Sequence, residues 1–97
     1  FLELCHTARL PRPVTHPVTG RRRDRLIRVD CRFEGTPTIV ELLGYAFHRT
    51  TAQMADDAER MNRMVLDGFR PLQFTYTQVV DAPRAVVDAV AEALHRC

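Results

Sequence analysis

The stretch RVDCRFEGTPTIVELL, residues 28–43, leaves the chain the fewest options for folding. RVDCRF alternates charged and apolar side chains with the period of two that sorts them onto opposite faces of a strand. EGTP carries the glycine and proline of a turn, and TIVELL reads as a second strand. The expected product is a hairpin whose register puts Phe33 opposite Thr38, Arg32 opposite Ile39, Cys31 opposite Val40 and Asp30 opposite Glu41. Val29, Cys31, Phe33, Val40 and Leu42 then form an apolar face directed at the core. Glu41 is the misfit, a carboxylate inside the most apolar run of the chain.

In that register the two acids, Asp30 and Glu41, face each other. Directly opposed side chains on one face of a strand pair have Cβ atoms about 4.5–5.5 Å apart. Like charges at about 5 Å repel by roughly 3 kcal/mol at an effective dielectric of 20, and by less than about 1 kcal/mol in water. Two arrangements relieve the repulsion. A divalent cation, magnesium or manganese, can be shared by the two carboxylates, since both ions prefer hard oxygen ligands. Alternatively, Arg28 and Arg32, on the same face as Asp30, neutralise it in an ordinary salt-bridge cluster.

The other segments give the hairpin its setting. Residues 1–8, FLELCHTA, read as the tail of a helix ended by LPRP. Residues 14–33 read as two extended segments around the turn TGRRRD. Residues 50–68 have Met54, Ala58, Met61 and Val65 at helical spacing, with Thr50 and Gln53 as a capping box and Gly68 as a stop. Residues 69–80 alternate Leu72, Phe74 and Tyr76 against polar neighbours, as a strand does. The last helix, residues 82–97, turns Val86, Val90, Ala93 and Leu94 inward, with Asp81 as its cap and Pro83 in its first turn. The expected order is helix, three strands, helix, strand, helix, an α/β fold with a small mixed sheet flanked by helices.

With 97 residues the chain forms one domain, residues 1–97. It opens on Phe1 inside a helix and reads as the carboxy-terminal part of a longer protein. An apolar fraction of 45% and a charged fraction of 27% exclude a disordered tail, and no apolar run reaches the ~20 residues of a membrane span. Three cysteines, Cys5, Cys31 and Cys97, are too scattered for a disulfide framework or a zinc site and point to a reducing cytoplasm. All fourteen basic residues are arginines. Arg21, Arg22, Arg23, Arg25, Arg28 and Arg32 lie close together, and the turn at 21–25 suits either a phosphate backbone or a solubilising hairpin tip.

Taken together, the Val-Asp pair, the segment IVELLGYAFH and the helix that leads through DDAERMNRMVLDG into FRPLQFT resemble the very-short-patch-repair-like endonuclease domains of the PD-(D/E)XK nuclease superfamily. These include a bacterial family long known as a domain of unknown function. The resemblance implies a restriction-endonuclease-like core, with Asp30 and Glu41 as metal-binding and catalytic carboxylates and His48 as a catalytic histidine. It further implies Mg2+ or Mn2+ as cofactor, DNA as partner and phosphodiester hydrolysis as the reaction. Asp57 and Arg60 match polar helix positions, where Arg60 contacts phosphate alongside the arginines at 21, 22, 23 and 25. Leu43 departs from the family, which has an aspartate there, and Gln73 stands where an arginine is usual. Two functions remain open beside that of a small interaction domain whose salt bridge is accidental. One is a metal-dependent DNA endonuclease weakened by Leu43. The other is an inactive nuclease-fold module binding DNA or a protein partner in a regulatory or toxin–antitoxin-like protein.

Overall fold

The computed structural model describes residues 1–44 and 50–96. A short helix, α1 (Leu2–Thr7), precedes five strands, β1 (Val14–Thr15), β2 (Val18–Arg22), β3 (Arg25–Arg28), β4 (Cys31–Arg32) and β5 (Thr38–Leu43). A long helix α2 (Thr51–Leu66), strand β6 (Arg70–Thr75) and helices α3 (Tyr76–Asp81) and α4 (Pro83–His95) follow. The expected order holds in outline, but two of the anticipated strands are divided and a helix is added.

Both divisions have one cause. His16 takes a left-handed backbone, φ 55°, and Pro17 after it has no N–H to give to a ladder. Across from them the His16 N–H donates to the Asp30 carbonyl at 2.8 Å, and the Val29 N–H donates to the Pro17 carbonyl at 3.2 Å. The ribbon is therefore continuous in hydrogen bonding yet bent. β2 and β3 form a separate two-stranded sheet, whereas β1 and β4 join a larger one. The bend also moves Val29, which packs with Ile27, Ile39 and Met64 and not, as expected, with Cys31, Phe33 and Val40.

Beyond the bend the register is the expected one, with Cys31 paired to Val40 and Arg32 to Ile39. The Phe33 N–H donates to the Thr38 carbonyl at 3.1 Å, and Gly35, φ 77°, supplies the left-handed turn residue that only glycine adopts without strain. Among the described residues the larger sheet has four strands in the order β1-β4-β5-β6. β5 is antiparallel to β4 and parallel to β6, which makes the sheet mixed.

β5 is central, and Thr38, Ile39, Val40 and Glu41 along it are all buried. Alternation sends Val40 to one face, where it packs with Cys31, Phe33, Phe74, Cys5 of α1 and Val86 and Val90 of α4. Ile39 goes to the other face, against Met64 of α2. The molecule is thus a mixed sheet flanked by helices on both sides. Among the described residues no helix is long and apolar enough to cross a membrane.

α2 starts at the expected capping box, in which the Thr50 hydroxyl accepts from the Gln53 N–H and the Gln53 side chain accepts from the Thr50 N–H. It ends at Gly68, φ 93°. Its buried face differs from the expected stripe. Met64 is buried and Met61 partly so, whereas Met54 and Val65 lie in solvent. The expected strand over 69–80 stops at Thr75, because Thr75 and Gln78 form a second capping box and start α3. Asp81 closes that helix and does not cap α4, whose N-cap is Ala82, followed by Pro83 in the first turn.

Candidate functional site

Glu41 follows Ile39 by two residues and so points to the same face of the sheet, under α2. α2 presents Asp57, Arg60, Met61 and Met64 on one side, at the three- and four-residue spacing that aligns helical side chains. The lower part of that side packs on Ile39 and Val29. The upper part closes over a cleft of about 270 Å³ lined by Arg28, Asp30, Glu41, Leu43, Asp57, Arg60 and Gln73, among others. Hence the chain turns a charged face of α2 toward the sheet and leaves apolar Met54 and Val65 outside.

Asp30 and Glu41 line this one cleft, as the register requires, but they are not a bare facing pair. The backbone ladder between β4 and β5 ends at Cys31 and Val40, because the chain bends away at Asp30. The Asp30 side chain takes up the pairing that the backbone gives up: the Leu42 N–H donates to its Oδ2 at 2.7 Å. Charge-assisted bonds of this kind are stronger than neutral ones.

Glu41 is 8% exposed and holds a cation of its own. Arg60 Nη2 donates to Glu41 Oε1 at 2.5 Å, and the same nitrogen donates to the Arg28 carbonyl. Neither of the arginines expected as alternative partners of Asp30 forms an ion pair with it among the described residues. Arg28 offers only its carbonyl to this cluster, and the Arg32 guanidinium stacks 5.0 Å from the centre of the Phe69 ring, a cation–π contact on the α2 side. Arg60, expected to reach for phosphate, is occupied by Glu41. Its partnership across nineteen residues was foreshadowed only by its alignment with Asp57, Met61 and Met64.

The arginine-rich turn expected to lie on DNA is divided in the same way. The Arg22 side chain, 11% exposed, pairs with Asp56 at 2.8 Å and lies 3.7 Å from Glu59, and Arg23 pairs with Glu59 at 3.2 Å. These two arginines fasten the hairpin tip to α2. Arg21 and Arg25 are exposed, as is Arg28 at the cleft. A hollow of about 620 Å³ between tip and helix is lined by Arg21, Arg22, Arg23 and Arg63, with Glu59 and Leu66. It is larger than the carboxylate cleft and carries none of its acids. His48 lies outside the described residues.

Leu43 is the next residue on the face of Glu41 and adds no oxygen to the cleft. Among the described residues no group of three His, Cys, Asp or Glu side chains gathers as a ready metal cage. Cys31, next to Asp30, is no candidate nucleophile. Burial, then the charges of Asp30 and Cys5, push its thiol up to about 11, so it stays protonated at neutral pH. Cys5 is likewise buried and free. Comparison with protein-family models, curated proteins and solved structures found no match.

Proposed function

We propose that this chain is a restriction-endonuclease-like domain that hydrolyses DNA phosphodiester bonds with Mg2+ or Mn2+, and that it works in the reducing cytoplasm. The observation carrying this reading is that Asp30 and Glu41, eleven residues apart in sequence, line one cleft between β5 and α2. Their donor set suits a hard cation, and magnesium commonly binds through one or two carboxylates with waters completing its shell. Asp30 and Glu41 would hold the ion, which supplies Lewis acidity and a water of lowered pKa. Arg28, exposed at the cleft, and Arg21 and Arg25 farther along the ribbon would hold the phosphate backbone without reading sequence. His48, four residues past Gly44, is proposed as the proton donor or acceptor.

A second reading has specific support. Leu43 and the Arg60–Glu41 pair favour an inactive module that binds DNA or a protein partner in a regulatory or toxin–antitoxin-like protein. Nicking of supercoiled plasmid in Mg2+ and in Mn2+ separates the two. The enzyme reading expects cleavage by the wild type and a loss of about a hundredfold or more in Asp30→Ala and in Glu41→Ala. Retention of DNA without metal and without cleavage by any of the three sustains the module.

A further inference from the structure

We propose that Arg60 is a tethered counter-cation of Glu41, and that a divalent cation entering the acidic cleft must displace it. The inference rests on the reading of the cleft as a cation site. Glu41 is fixed on the central strand at 8% exposure, where an unpaired carboxylate is strongly disfavoured. Some positive charge has to accompany it, and α2 supplies one within the chain. Arg60 reaches Glu41 from a helix that starts eight residues after β5 ends, so it competes as a tethered group, at an effective concentration on the order of millimolar.

The form of the contact makes it displaceable. Both of Arg60's bonds, to Glu41 Oε1 and to the Arg28 carbonyl, run through the single nitrogen Nη2. The pairing is end-on, without the two parallel bonds of an arginine fork. The Arg60 side chain keeps 25% of its surface in solvent against 11% for Glu41, so the arginine has a way out and the carboxylate does not. A cation arriving at Asp30 and Glu41 competes with this guanidinium for the same oxygen, and its apparent affinity falls by the strength of the internal pair. Arg60 is accordingly a positioning residue that sets the ion concentration at which the cleft fills.

Mn2+ binding to the wild type, Arg60→Gln, Glu41→Gln and the double variant, read from the free Mn2+ electron-spin-resonance signal, tests this. Arg60→Gln is expected to bind at least about tenfold more tightly than the wild type, a difference of about 1.4 kcal/mol, and Glu41→Gln in that background removes the gain. Equal affinity in the wild type and Arg60→Gln, lost on Glu41→Gln, overturns the latch and leaves the cation site standing. Binding that ignores Glu41→Gln, or no binding in any variant, overturns both. If Arg60→Gln folds poorly, the wild type suffices. With uniformly 15N-labelled protein, saturating Mg2+ should shift the Arg60 side-chain resonance, and an unmoved resonance beside a shifted Glu41 amide refutes displacement.

Discussion

At the scale of single residues, Glu41 shows how a strand position is assigned by neighbours and a charge by a distant partner. Ile39, two residues before it, commits Glu41 to the α2 face, and burial on the central strand takes its carboxylate out of water. Arg60 makes that position tolerable. Removing the arginine should therefore cost more than an exposed ion pair is worth. Arg60→Met is expected to lower unfolding stability by about 2 kcal/mol, below the roughly 3–5 kcal/mol of fully buried pairs because Arg60 retains solvent contact. Adding Glu41→Gln should recover most of the loss. Urea denaturation of the two single variants and the double one measures the cycle, and equal losses in single and double variants would rule the pairing out as the cause.

At the scale of elements, the features readable from the sequence are those whose chemistry lies within a few neighbouring residues. The Thr50–Gln53 cap, the EGTP turn, the glycine stop at 68 and the Cys31–Val40 register are of this kind. What escaped depends on partners far away. The bend at His16 and Asp30 divides two strands because it lets one ribbon serve two sheets, and no local pattern signals that. The buried face of α2 carries Met61 and Met64, not the whole expected stripe. Met54, Ala58, Met61 and Val65 form a valid apolar stripe, but the helix rolls to bring Asp57 and Arg60 over the acidic cleft. The end of β6 is a different case, since its signal was present and outweighed. Thr75 and Gln78 have capping-box spacing, yet the alternation of Leu72, Phe74 and Tyr76 suggested a longer strand. Thr75→Ala should lower stability by about 1 kcal/mol, whereas the exposed Thr77→Ala should cost markedly less; thermal melts of the two compare them, and equal losses would show that the cap contributes nothing.

At the scale of the whole molecule, the expected layering of a mixed sheet between helices is present, and the alternation along β5 accounts for it. The candidate site was legible as two carboxylates and a face. It was not legible as a cluster with its own counter-charge, because Arg60 and Glu41 meet only after β5, α2 and the bent ribbon are assembled. The same assembly pairs Arg22 and Arg23 with Asp56 and Glu59, more than thirty residues away, which covers most of Arg22 but leaves Arg23 exposed beside Arg21, Arg25 and Arg28 along the ribbon. The proposed function puts a divalent cation at the cleft lined by Asp30 and Glu41. Mn2+ broadens nearby resonances even when bound weakly, so a titration of the 15N-labelled wild type locates that place without any need for turnover. Broadening that begins at the amides of Cys31, Leu42 and Leu43 and disappears in Glu41→Gln is the predicted result; broadening centred on the hairpin tip at 21–25, or indifferent to that substitution, would contradict it.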